Sequence, residues 1–119
     1  IILSNTDSAP IYEQITRQLR AKIVSGELAA GQALPSMRLL ARELRISVIT
    51  TKRAYEELEA DGFIVTQAGR GSFAAELSPA ELSKKRRALM KERLSDGTAF
   101  CKSLGASEEE ILAVIKELY

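Results

Sequence analysis

Residues 34–71 hold two short helical patterns either side of one tight turn, with a glycine-tipped hairpin directly behind them, and few folds accept that order. Leu34-Pro35-Ser36-Met37-Arg38 opens the stretch. A serine at Ser36 can accept a hydrogen bond from a free N–H of a first helical turn, so the spacing predicts a helix over 37–44 with Leu39, Leu40 and Leu44 inward. Arg45-Ile46 makes the turn, and Ser47 caps a second helix read over 47–61. Its inward positions are expected to be Val48 or Ile49, then Ala54, Leu58 and Tyr55, and Gly62 ends it. Residues 63–67 and 72–75 are strand-like and joined by Ala68-Gly69-Arg70-Gly71. Two helices at a tight turn followed by a hairpin with a basic tip is the pattern of a winged helix-turn-helix.

The flanks fit that reading. A first helix is expected from Pro10, whose fixed φ suits a first helical turn, to Gly26 as its stop. Ile11, Ile15, Leu19 and Ile23 recur every fourth residue and form one buried stripe. The connection after Gly26 has room for a short strand at Gln32–Leu34 that pairs with the wing. Composition changes at Ser78, where Ser78-Pro79-Ala80-Glu81 reads as a capping box. A long charged helix near 79–104 follows, which Gly97 is expected to bend or interrupt, and Ser107-Glu108-Glu109-Glu110 caps a last helix carrying Ile111, Leu112, Ile115, Leu118 and Tyr119. Two such helices cannot enclose a core, so they either fold back or pair with a second copy, and dimerisation is the expectation. The fold class expected is therefore mostly α with a small β-hairpin: a winged helix-turn-helix over 1–76 and a helical dimerisation hairpin over 77–119.

Composition removes other classes. There is no His and a single Cys, Cys101, which leaves little catalytic or metal-ligating vocabulary and no internal disulfide. No phosphate-binding glycine loop occurs, because Gly69-Arg70-Gly71 is too short and opens no helix. No enzyme activity, cofactor or metal is expected. No apolar run is long enough to span a membrane, the start Ile1-Ile2-Leu3-Ser4-Asn5 does not read as a signal peptide, and a reducing cytoplasm is the expected location. The first residue is Ile rather than Met, so some residues are expected to be missing or removed ahead of it.

A net charge of only +1 argues at first against a nucleic-acid partner, but the distribution says more than the sum. Residues 1–76 hold nine Lys/Arg and nine Asp/Glu. Six of those bases (Arg38, Arg42, Arg45, Lys52, Arg53 and Arg70) fall in 38–70, and the acids gather at Glu56, Glu57, Glu59 and Asp61. The second helix is thus basic in front and acidic behind, against its own macrodipole, which invites a functional reason.

At this point Pro10-Ile11-Tyr12-Glu13-Gln14-Ile15, Ser25-Gly26-Glu27-Leu28, Leu34–Arg38, Leu40-Ala41-Arg42-Glu43-Leu44, Thr50-Thr51-Lys52-Arg53-Ala54-Tyr55 and Gly69-Arg70-Gly71-Ser72-Phe73 closely resemble the GntR family of bacterial transcription regulators, over about residues 10–75. The short helical remainder is similar to the YtrA subfamily, small homodimeric repressors. The resemblance implies DNA contacts from Ser36, Arg38, Ser47, Thr50, Thr51, Lys52, Arg53, Gly69 and Arg70. Arg38 stands out independently, because a guanidinium can grip a phosphate or read guanine O6 and N7 with two bonds. Its alternative is a surface pair with Glu43. One of the two threonines has core packing as its competing role, and Arg53 faces either DNA or the acids Glu56 and Glu57. Many members place Arg directly after the capping serine, whereas this chain has Val48 and then Ile49, which either meet a thymine methyl or pack inward. Lys84-Lys85-Arg86-Arg87 reads more simply as a solvated helix face than as a second DNA patch.

The function implied is a homodimeric, sequence-specific repressor that binds an inverted-repeat operator through recognition helix 47–61 and wing 67–73. Two rivals are a winged helix serving as a protein-interaction module and a sensor with an unidentified small-molecule effector between the helical hairpin and its partner.

Overall fold

A computed structural model describes residues 1–119. The elements run α1 (Ile11–Ser25), α2 (Met37–Leu44), α3 (Val48–Ala60), β1 (Ile64–Gln67), β2 (Gly71–Ala74), α4 (Pro79–Ser103) and α5 (Glu108–Leu118). They form two compact units, Ile1–Leu82 and Ser83–Tyr119.

Local chemistry places each boundary in the first unit. Pro10 precedes α1, and Gly26 closes it in the left-handed region at φ 84, its N–H donating to the Ile23 carbonyl. Ser36 Oγ accepts from the Leu39 N–H at 3.0 Å and starts α2. Arg45 ends α2 at φ 56, a conformation few non-glycine residues adopt, and this reverses the chain within two residues so that Ser47 can start α3. Ser47 Oγ accepts from the Ile49 N–H at 3.0 Å. Ile15, Leu19 and Ile23 of α1 meet Leu40 of α2, Ala54, Tyr55 and Leu58 of α3, and Phe63, Ile64 and Ala74 of the hairpin in one core.

The inward stripe of α3 differs from expectation at its front. Val48 and Ile49 are 44% and 79% exposed, and Thr51 is completely buried in the place expected for one of them. Helical spacing explains this: residues 51, 54, 55 and 58 lie at i, i+3, i+4 and i+7 and share one face. The Thr51 hydroxyl donates to a backbone carbonyl, with Val48 O at 2.8 Å and Met37 O at 3.2 Å, so its polarity is satisfied inside. Similarly, Leu39 is 36% exposed rather than inward, and Leu40 alone of that pair enters the core.

The hairpin pairs Ile64 with Ala74 through Gln67 with Gly71, antiparallel. Segment 31–34 adds to the other edge of β2, as the Leu34 N–H donates to Ser72 O and the Ala74 N–H to Gln32 O, both at 2.8 Å. The wing is therefore supported on both sides. Residues 1–9 are tied to α1 by side-chain to backbone hydrogen bonds. The buried Gln14 amide accepts from the Ser4 N–H at 2.8 Å and donates toward Ser4 O and Ala9 O, while Gln18 accepts from the Ile2 N–H at 2.9 Å.

Ser78 and Glu81 form the reciprocal capping box, with Ser78 Oγ accepting from the Glu81 N–H and Glu81 Oε1 from the Ser78 N–H. The helix continues through Gly97 without interruption; a Cβ there would meet nothing within 4 Å. In the second unit, Gly105 turns the chain at φ 85 and Ser107 Oγ accepts from the Glu110 N–H. Neither α4 nor α5 has a buried residue. Met90, Leu94, Phe100, Leu104, Leu112, Ile115 and Leu118 are all exposed.

Candidate nucleic-acid interface

The serine caps, the Arg45 turn and the glycine-tipped hairpin bring three basic edges to the surface of the first unit. Arg38 projects from the first turn of α2 and is exposed, with no ion pair to Glu43. Ser36 and Ser47 are exposed; each uses one oxygen lone pair as a cap acceptor, which leaves its O–H free to donate. Thr50 is partly exposed and Lys52 exposed, the latter 3.9 Å from Glu56 one turn along. Such an exposed i, i+4 pair is weak and exchangeable.

Thr51 does not join this surface. Its burial and its contact with the Met37 carbonyl make it a tie between α2 and α3, the core role that competes with DNA contact for one of the two threonines. Arg53 does not take the acidic alternative expected for it. Its guanidinium lies 3.8 Å from the centroid of the Tyr12 ring on α1, not on Glu56 or Glu57. Stacking occupies the face of the guanidinium and leaves its in-plane N–H donors available to an oxygen. Tyr12 thus fixes where the Arg53 guanidinium rests, a contact that sequence reasoning missed; the only signal was an aromatic one residue past the start of α1.

At the wing, the three-residue tip Ala68-Gly69-Arg70 is closed by the Arg70 N–H donating to Gln67 O at 3.0 Å. Gly69 (φ 75) and Gly71 (φ 107) both need the left-handed region, and a Cβ on either would meet open space, so backbone conformation rather than crowding demands glycine there. Arg70 is exposed beside them.

Two buried or paired groups hold these edges in place. The Tyr55 hydroxyl donates to the Pro35 carbonyl at 2.7 Å, fixing the backbone just ahead of Ser36 and Arg38. Burial pushes the Tyr55 phenol up to about 12. The acids at the back of α3 also have structural employment: Asp61 pairs with Arg20 at 2.8 Å, and Glu59 accepts from the Thr66 N–H at 3.0 Å. Their opposition to the helix dipole is therefore offset locally, and only the exposed bases in front are left for a functional account.

Two helices crossing at a tight turn, a second helix with polar and basic groups at its exposed front, and a supported wing with a cationic tip define a winged helix-turn-helix of the DNA-binding class. The chain belongs to the GntR family of bacterial regulatory proteins, whose family profile matches residues 11–73. It is 34% identical over 111 residues to the HTH-type transcriptional repressor YtrA of Bacillus subtilis (strain 168), covering 93% of this chain and 85% of that one. It is 38% identical over 111 residues to the uncharacterized HTH-type transcriptional regulator YhcF of the same strain, covering 92% and 89%. A solved GntR family transcriptional regulator from Listeria monocytogenes superposes with a TM-score of 0.82 at 33% identity, over 93% of this chain and 96% of that one. The chain is thus a YtrA-like, DNA-binding transcriptional regulator of that family. No helix is long and apolar enough to cross a membrane.

Proposed function

We propose that this protein is a repressor that binds an inverted-repeat operator as a homodimer. The observation that carries the DNA contact is the exposed set of Arg38, Lys52 and Arg70 on α2, α3 and the hairpin tip, with the O–H groups of Ser36, Ser47 and Thr50 at the starts of the two helices. The front of α3 would enter the major groove, Arg38 and Arg53 would hold the phosphates or guanine edges beside it, and Gly69-Arg70 would reach the flanking backbone.

The uncovered apolar side chains of α4 and α5 support the dimer. A 37-residue unit with no buried side chain in its helices does not stabilise itself, and a second copy would cover Met90, Leu94, Leu112 and Ile115. Two recognition helices related by a two-fold axis then require half-sites about one helical turn apart.

The test is selection of duplexes from a random pool by the purified protein, followed by fluorescence anisotropy on the enriched duplex across salt. An inverted repeat is expected, with affinity falling about 10³–10⁵-fold between 50 and 200 mM salt for roughly six to ten phosphate contacts. A flat salt response would refute the phosphate clamp, and enrichment of single half-sites would refute the dimer.

A further inference from the structure

From the exposed apolar front of α3, we infer that Val48 and Ile49 determine operator specificity by contacting thymine 5-methyl groups in the major groove. This rests on the DNA-binding proposal and adds the base chemistry that the recognition helix reads. Ile49 is 79% exposed and Val48 44% exposed, and neither belongs to the core cluster or to the side chains packed against it. With 3.6 residues per turn, Ile49 lies about 170° around α3 from the centre of the 51, 54, 55, 58 stripe, which is the outermost position the helix offers.

Three observations favour a base edge over indifferent exposure. The pair sits in the first turn of the second helix, the part of such a helix that reaches base edges. It is bracketed by groups suited to phosphates, namely the Ser47 hydroxyl on one side and Thr50 and Lys52 on the other, so a duplex held by those groups meets Ile49 between them. Finally, Val48, Ile49, Thr50 and Thr51 are four β-branched residues in succession at the start of a helix, where each lowers helix propensity relative to unbranched residues. A Val or Ile in a helix has one strongly preferred χ1 rotamer, so a contact through it loses little side-chain freedom on binding. Neither side chain carries a donor or acceptor, which excludes hydrogen-bonded readout. The one apolar feature that the major groove presents is the thymine methyl.

The experiment uses the full chain and the duplex enriched from the random pool. Each thymine of a half-site is replaced in turn by deoxyuridine, which removes the methyl and keeps O4 and the base pair. Wild-type protein should bind about fourfold more weakly for each contacted methyl removed, and about 15-fold more weakly when the same position is changed in both half-sites. Ile49→Ala should bring the thymine-to-uracil affinity ratio at its position close to one, Ile49→Val should leave an intermediate ratio, and Val48→Ala should act in the same way at a neighbouring thymine. Arg70→Ala should weaken both duplexes equally and keep the wild-type ratio. All of these side chains are exposed, so no variant should lower the melting temperature, and the Val48→Ala and Ile49→Ala proteins, relieved of a β-branched residue in the helix, should melt at the same temperature or slightly higher. If no uracil weakens the wild type, or if Ile49→Ala keeps the full ratio, the methyl contact is wrong while DNA binding stands. If no duplex is enriched at all, the DNA proposal fails and this inference fails with it.

Discussion

Replacing Tyr55 with phenylalanine tests how the front of α2 is held. The ring is 1% exposed and its hydroxyl donates to Pro35 O at 2.7 Å, so Tyr55→Phe deletes one O–H and leaves the packing intact. The net worth of such a bond is about 0.5–1.5 kcal/mol, and the half-buried Pro35 carbonyl regains only part of its solvation, so the loss at pH 7 should be about 1–2 kcal/mol. At roughly 4–8 °C per kcal/mol for a unit of this size, the melting temperature should fall by about 4–16 °C. The alkaline arm fixes the cause. Tyr55 is raised from 10.0 to about 12 by burial, so its contribution is fully present below pH 10, where folded and unfolded chains both keep the proton. Above pH 10 the unfolded chain releases a proton that the folded chain retains, and stability falls as pH rises, by up to about 1.4 kcal/mol per unit until pH 12. The variant lacks this proton, and every other titrating group is common to both proteins. Urea unfolding followed by circular dichroism between pH 7 and 11 should therefore show an advantage of the wild type that is constant to pH 10 and shrinks beyond it. Equal midpoints at pH 7, or a constant difference up to pH 11, would refute the reasoning.

Other substitutions separate the remaining roles. Arg38→Ala should cost about 1–3 kcal/mol on the enriched duplex and less on scrambled DNA if it reads a base; equal losses on both, measured by anisotropy, would mark it as a phosphate contact. Tyr12→Leu and Arg53→Ala should each weaken DNA binding, and a double-mutant cycle should give about 0.5–1 kcal/mol of coupling, whereas strict additivity would mean that Tyr12 does not position the guanidinium. Thr51→Val should lower stability by about 1 kcal/mol through loss of its buried hydrogen bond, with the affinity of the folded protein unchanged. Ile115→Glu should give a monomer in analytical ultracentrifugation that still binds a half-site; an intact dimer would show that α5 does not supply the contact.

The helix-turn-helix was legible because its boundaries are set by short-range chemistry. Ser36, Ser47, Gly26 and the Ser78–Glu81 box each act on a backbone group within a few residues, and sequence spacing reports them directly. The front of α3 was only partly legible, because hydropathy favoured Val48 or Ile49 inside and left open which threonine packs in the core, whereas the angle around the helix decided the matter. A buried threonine whose hydroxyl returns to a carbonyl three residues back carries no hydropathy signal. The stacking of Arg53 was not legible for a different reason. Its partner Tyr12 comes from another helix, and only the packing of α1 against α3 brings the two together. The acids at Glu59 and Asp61 follow the same rule, since Arg20 and the Thr66 N–H reach them only after folding.

The segment ahead of α1 has a practical meaning for where this domain begins. The family match starts at residue 11, yet Ile1 and Leu3 pack on the core and the Gln14 amide uses both its ends on the backbone of residues 4 and 9. A fragment cut to the matched limits would leave a buried carboxamide with no backbone to answer it and an apolar strip of α1 bare to water. The part of the chain that the family profile matches is therefore smaller than the part that folds together, and any excised DNA-binding unit should keep its first nine residues.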